Sequence, residues 1–237
     1  MAASPEPSIW TRPPPRPRRR SLSRAAIVAA AVQVADRAGL EALTMHTVAR
    51  TLGEFTPMSL YRYVYSKEGL IDLMLDDVLA EVELPAPVGD DWRAAVFDLE
   101  RATWVAIQRH PWYAQLVHTR PPLGPHALRR TEFLLGIFRG LGADLGTAMG
   151  YASLVERLVI GLALQASTEA QAQPQADFTT PAGATAAVAP LVELTSSTDA
   201  YPNLAEWASA PSGPSPTEQL ELGLKMVLDG IAARHPA

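Results

Sequence analysis

Apolar positions recur along most of the chain at intervals of three and four residues, the spacing of one face of an α-helix. From Ser23 to Ala38 they fall at Ile27, Ala31, Val34 and Ala38. Ser23 stands where it can cap this helix and Gly39 where it can end it. A short second helix follows Thr44 and turns Met45, Val48, Ala49 and Leu52 inward before Gly53. A third starts at Thr56, a good N-cap followed by Pro57 at the first helical position, and runs Met58-Ser59-Leu60-Tyr61-Arg62-Tyr63-Val64. A fourth begins near Ser66, carries Leu70, Leu73, Met74, Val78 and Leu79 inward, and is closed by Pro85 and Pro87. Helical periodicity continues over about 90–109, 111–118, 125–140 and 146–172. A last helix, Thr217 to Arg234 with Thr217 as its cap, bears a stripe of Leu220, Leu224, Val227, Leu228 and Ile231. No segment shows convincing period-2 alternation, so the expected fold class is all-α.

The pattern breaks in two places. Residues 1–22 read as a disordered basic tail, because Pro13, Pro14, Pro15 and Pro17 forbid helix while Arg16, Arg18, Arg19 and Arg20 repel one another. Such a tail is either an arm for phosphates or a solvated leader. Residues 173–216 are rich in Ala, Pro, Ser and Thr and read as a flexible connection, within which Ala182–Leu194 and Leu204–Ser209 can form short helices. The expected organisation is the tail, a helical head over 23–67, and a helical body over 68–237.

Composition narrows the chemistry. The 237 residues include no cysteine, so there is no disulfide framework, thiolate metal site or cysteine nucleophile. No uninterrupted apolar run reaches ~18 residues, and no apolar stretch directly follows the N-terminal arginines, so a membrane span and a secretory signal are not expected and the location implied is cytoplasmic. The net charge of −5 hides a split. Residues 1–67 hold ten Lys/Arg against four Asp/Glu, a formal +6, and the remainder carries −11. A basic head on an acidic body calls for two kinds of partner, and a polyanion suits the head.

Two short helices joined at Gly53 make a helix-turn-helix pattern, in which the second helix places its N-terminal residues in the DNA major groove. Leu60 and Val64 can pack inward while Pro57, Met58, Ser59, Arg62 and Tyr63 face outward. The run Leu43-Thr44-Met45, Val48-Ala49, Leu52-Gly53, Pro57 to Val64, then Lys67-Glu68 and Leu70 resembles the DNA-binding domain of the TetR family of bacterial transcriptional regulators over about 23–82. The resemblance implies that Thr44, Tyr61 and Lys67 meet phosphates. It also implies that Pro57, Met58 and Ser59 approach bases, with Arg62 and Tyr63 on the groove-facing side. Two positions depart from the family pattern. The turn is one residue longer, an insertion assigned to Glu54, with Phe55 in the apolar turn position; and His46 stands where many relatives carry a base-reading arginine.

His110-Pro111-Trp112-Tyr113, Thr119-Arg120-Pro121-Pro122 and the last helix resemble the C-terminal domain of the tetracycline-repressor branch. The resemblance implies an effector-binding and dimerisation domain, with the helix at about 146–172 and the last helix pairing with their mates. The candidate effector residues are Trp104, His110, Tyr113, His118, Thr119, Glu132, Phe133, Tyr151 and Glu156. Glu132 and Thr119 are preferred among them, because they fall near positions that face drug in tetracycline-binding relatives. An acid in an otherwise apolar pocket suits a cationic ligand. The histidines form no i, i+4 pair, so no metal is expected, and no cofactor fingerprint or nucleophile motif is present. The implied function is a homodimeric repressor, released from a roughly palindromic operator in double-stranded DNA by a small-molecule effector. An activator of the same fold and, more remotely, a small-molecule-binding helical enzyme are the alternatives.

Overall fold

Polar caps set the helix starts. Ser23, Thr44, Thr56 and Ser66 each accept a hydrogen bond from the backbone N–H three residues on, opening α1 (Arg24–Ala38), α2 (Met45–Thr51), α3 (Pro57–Val64) and α4 (Lys67–Ala80). Asp91 does the same for α5 (Trp92–Arg109). The chain then forms α6 (Trp112–Val117), α7 (Pro125–Gly140), α8 (Leu145–Ala172), α9 (Pro181–Ser196), α10 (Pro202–Ser209) and α11 (Pro216–Arg234). This computed structural model describes residues 9–12, 22–53, 55–85, 91–172, 181–196, 200–209 and 213–235; among them there is no β-strand. The all-α expectation holds.

Several sequence expectations are corrected in detail. The buried face of α1 is Ile27, Val28, Ala30, Ala31 and Ala35, with Val34 only half-buried and Ala38 exposed, because α2 and α4 cover it from two sides. Ser215, not Thr217, caps α11, in a reciprocal capping box with Glu218, and Pro216 takes the first helical position. The Thr217 hydroxyl is instead available to accept from the Trp104 indole N–H at 3.3 Å. The N-terminal segment is not a tail throughout. Ile9–Thr11 form a 3₁₀ turn whose Ile9 side chain is buried against α4 beside Gly69, and Leu22 is buried too. Arg16, Arg18, Arg19 and Arg20 lie outside the described residues. In the segment read as flexible, α9 and α10 pack on each other; residues 173–180, 197–199 and 210–212 also lie outside the described ones.

α4 is the element that joins the two ends of the molecule. It packs on α1 and α3 at one side and on α5, α6 and α7 at the other. Its buried Leu70, Leu73, Met74, Leu75, Val78 and Leu79 therefore belong to one apolar core running from head to body. In the body α8 lies against α5, α6, α7 and α11. By length and average hydropathy α8 is able to cross a membrane over Leu145–Glu169. However, Glu156 and Arg157 interrupt its middle, and Ala148, Ala152, Val155, Val159 and Ala163 are packed into the protein core.

Candidate nucleic-acid interface and effector cavity

The head presents α3 on a fixed elbow. Leu60 and Val64 are fully buried, so the opposite side of this eight-residue helix faces out. There Met58 is 73% exposed, Arg62 is exposed and Tyr61 and Tyr63 are half-buried. Lys67, at the start of α4, and His46 and Thr44, on α2 and its cap, are also exposed. Two of the polar groups are already engaged locally. Thr44 and Thr47 form a reciprocal capping box, and the Ser59 hydroxyl donates to the Thr56 carbonyl at 2.6 Å. Gly53 has φ +98°, a conformation the α2–α3 turn needs and other residues rarely adopt. Glu54, assigned above as the extra turn residue, lies outside the described residues.

The α3–α4 elbow is held unusually. Tyr65 has φ +64°, rare for a residue with a side chain, and its N–H donates to the Tyr61 carbonyl. Arg12 lies 4.8 Å from the centre of its ring, Arg24 Nε donates to the Tyr63 carbonyl, and a second Arg24 nitrogen donates to the Arg12 carbonyl. At Gly69 any side chain would strike the Val64 carbonyl, so glycine lets α4 start against the end of α3.

Three polar clamps connect the head and α4 to the body. The buried His110 ring lies between Asp36 of α1, at 2.8 Å, and Glu81 at the end of α4, at 3.1 Å. Both ring nitrogens face carboxylate oxygens, which only accept, so the two contacts are satisfied together when both nitrogens carry hydrogen. Trp112 donates its indole N–H to the same Asp36 oxygen, at 2.6 Å, and Arg109 pairs with Glu81 at 2.8 Å. Further along α4, the Arg120 guanidinium grips both oxygens of Asp72. One turn on, buried Asp76 accepts from the backbone N–H groups of His126 and Ala127 and so caps the start of α7. Gly124 is required beside it, since a Cβ there would overlap the Asp76 carboxylate.

Between these clamps lies a cavity of about 160 Å³. Its apolar wall includes Leu79 of α4, Ile107 of α5, Val117 of α6 and Val159 of α8; Pro121 and Pro122 of the α6–α7 segment form another side. Its polar wall is a buried network. Arg130 donates from Nη2 to both Glu100 oxygens at 2.7 Å and from Nη1 to Thr103 at 2.9 Å, and its Nε is 3.4 Å from Glu156. Complete burial pushes the Glu100 carboxyl above its ordinary value, and Arg130 opposes that rise. The two neighbouring carboxylates in turn favour the charged guanidinium. Tyr113, 2% exposed, also lines the cavity, and burial pushes its hydroxyl well above the ordinary phenol value.

Residues 84–235 match the model of the tetracyclin repressor-like C-terminal domain. Over 226 residues the chain is 37% identical to the HTH-type transcriptional repressor DrrR1 of Streptomyces coeruleorubidus, covering 94% of this chain and 83% of that one. The chain belongs to the TetR family. Among solved TetR-family structures, ActR of Streptomyces coelicolor in complex with actinorhodin superposes with a TM-score of 0.76 at 28% identity, covering 91% of this chain and 99% of that one. Apo ActR gives 0.74 at 27% identity, over 90% and 95% of the two chains. A TetR-family chain of this kind is a DNA-binding transcriptional regulator.

Against that family fold, the nine head residues Thr44, His46, Pro57, Met58, Ser59, Tyr61, Arg62, Tyr63 and Lys67 all lie on or beside α2, α3 and the start of α4. The effector candidates scatter. Tyr113 and Glu156 line the cavity. The preferred pair does not: Glu132 and Thr119 are exposed, as is His118, because α7 turns Arg130 and Leu134 inward and leaves Glu132 outside. Phe133 is half-buried against the core, and Trp104 is buried toward α11. His110 serves the interdomain clamp, and Tyr151 meets His235 at 3.2 Å. Arg130, Glu100 and Thr103 escaped notice in the sequence although a signal was present. Arg130 falls in the buried stripe Ala127–Arg130–Leu134–Phe138, and Glu100 shares the face of Val96, Leu99, Thr103 and Ile107. A charge on an apolar stripe marks a buried pair.

Proposed function

We propose that this regulator is a homodimeric repressor, in which residues 23–67 read a roughly palindromic operator and the following helices bind a small effector that releases it. The observation that carries the reading is the double grip of α4 on the cavity wall. The segment from Val117 to Ala127 borders the cavity and is tied to α4 at Asp72 and Asp76, and α4 begins at Lys67 in the head. An effector that favours one position of that segment therefore favours one position of the head, which is the differential binding that allostery requires. The named function of DrrR1 and the crystallised ActR–actinorhodin complex support the two halves of this reading.

In this reading Tyr61, Lys67 and Thr44 contact phosphates. Pro57, Met58, Ser59 and Arg62 approach base edges, with Tyr63 and His46 flanking them. One head covers too few base pairs for tight specific binding, and a two-fold dimer reading half-sites about one helical turn apart meets the need. The outward side of α8 and α11 suits that dimer. Met149, Leu154, Leu222 and Met226 are between 43% and 67% exposed there, and Leu154, Leu158, Gly161, Leu162 and Gln165 recur along α8 at intervals of three and four residues. A gel-shift experiment on the intergenic DNA beside the chain's own gene tests the proposal. Salt-sensitive retardation of a dimer is expected, and its absence at every adjacent fragment would overturn the reading.

A further inference from the structure

Arg130 lines the cavity but commits at least four of its five N–H donors within the protein. Its Nη2 is committed to both oxygens of Glu100, its Nη1 to Thr103, and its Nε to Glu156, and the side chain is 6% exposed. One guanidinium thus serves two carboxylates, and with both ionised the trio carries one negative charge in excess. That excess belongs to Glu156. Glu100 is completely buried and grips Arg130 at 2.7 Å with both oxygens, whereas Glu156 stands at 3.4 Å, keeps about a third of its side chain accessible and lines the cavity. Tyr113 lines the same cavity while almost wholly buried, and it is favoured in its neutral, proton-carrying form. The remaining surface around these groups is mostly apolar, from Leu79, Ile107, Val159 and Ile160.

We infer that the cavity selects an organic cation, an ammonium or comparable N–H-bearing head on an apolar ring, with the head paired to the Glu156 carboxylate beside the Tyr113 hydroxyl. This deepens the repressor reading and rests on it for its regulatory meaning, although the binding preference stands by itself. An ammonium supplies the donors that a carboxylate lacks, and its charge cancels the excess that the Arg130 pair leaves. A carboxylate ligand would face the Glu156 carboxylate, and Arg130 keeps at most one uncommitted N–H, on Nη1, to receive it. The acid that reads the ligand is therefore on α8, not at Glu132 on the outer side of α7.

The test uses the full chain without DNA and three probes that share one ring: 1-naphthylmethylammonium, 1-naphthalenemethanol and 1-naphthoate, followed by calorimetry and ligand-observed NMR at near-neutral pH. The ammonium is expected to bind about tenfold tighter than the alcohol, since a charge-assisted hydrogen bond is roughly twice as strong as a neutral one, with the carboxylate weakest. In Glu156→Gln, shown to be folded by its circular dichroism melt, the ammonium's advantage over the alcohol falls to within about threefold. Equal or reversed preference in the wild type, no detectable ammonium binding, or a preference retained in Glu156→Gln would each overturn the inference. The wild-type comparison decides even if the variant does not fold. Because no DNA is present, failure here leaves the gel-shift result standing. Ammonium binding without operator retardation would instead sink the repressor reading alone.

Discussion

Replacing Arg130 by methionine removes the cation from the most deeply buried ion pair described here. Glu100, 0% exposed, keeps no other hydrogen-bond partner among the described residues, and the Thr103 hydroxyl loses its donor while still reaching the Leu99 carbonyl. Breaking a buried pair from one side costs about 3–5 kcal/mol. The protein can limit that cost by protonating Glu100. Holding a carboxyl neutral costs about 1.4 kcal/mol per pH unit above its ordinary value of about 4.3, hence about 5 kcal/mol at pH 8 and about 1.6 at pH 5.5. The sign follows from burial, which raises Glu100 in the folded state, and from the loss of Arg130, the largest opposing influence. A carboxyl raised on folding contributes stability that is complete below its unfolded value and is lost as pH rises through the folded one. The variant should therefore trail the wild type by about 3–5 kcal/mol at pH 8 and by about 2 kcal/mol at pH 5.5, and adding Glu100→Gln should flatten the pH dependence. Urea unfolding followed by tryptophan fluorescence at one fixed protein concentration reads both values, since the proposed dimer would make stability concentration-dependent. A deficit below about 1 kcal/mol at pH 8, or the same deficit at both pH values, would refute the buried-pair account.

Three further outcomes are expected. Lys67→Ala should weaken operator binding across all sequences and reduce the salt slope by about 1 per head, measured by fluorescence anisotropy from low to moderate salt; an unchanged slope would remove Lys67 from the phosphate contacts. Gly124→Ala should drive the Asp76 carboxylate from the start of α7 and destabilise the fold by about 1–3 kcal/mol, read from chemical unfolding; a neutral result would mean that the Asp76 cap relaxes freely. Leu222→Glu with Met226→Glu, both exposed on α11 in a single chain, should give a folded monomer by analytical ultracentrifugation with much weaker operator binding; a persistent dimer would place the interface elsewhere.

The head was legible in the sequence because its signals are local. Thr44, Thr56 and Ser66 cap helices whose lengths Gly53 and the following caps dictate, and Leu60 and Val64 point inward by helical spacing alone. The cavity was not legible in the same way, because its walls come from α4, α5, α6, α7 and α8, and no spacing tells which side of α7 meets α8. Thus the sequence favours Glu132, two positions from the Arg130 that the fold turns inward. The clamps were hidden for the same reason: Asp36 and His110 are 74 residues apart and Asp76 and Ala127 are 51 apart, so only the fold brings them together. Yet Arg130 and Glu100 did leave a trace, as charges set into apolar stripes. The cap of α11 lies two residues before the Thr217 that the sequence favours: Ser215, Pro216 and Thr217 all carry start signals, and Glu218, whose carboxylate accepts from the Ser215 N–H while its own N–H donates to the Ser215 hydroxyl, selects Ser215.

In the proposed mechanism α4 carries the state of the cavity to a DNA-reading head. The most direct measurement is anisotropy of a labelled operator fragment, selected from random duplexes by the protein itself, titrated with protein at a series of salt concentrations and then with 1-naphthylmethylammonium. Tight, salt-sensitive binding by a dimer is predicted, with release on adding the ammonium, and with release but not binding lost when Asp72→Asn and Asp76→Asn uncouple the cavity wall from α4. Selection of no sequence over random duplex, or release that survives the loss of both α4 clamps, would contradict the account.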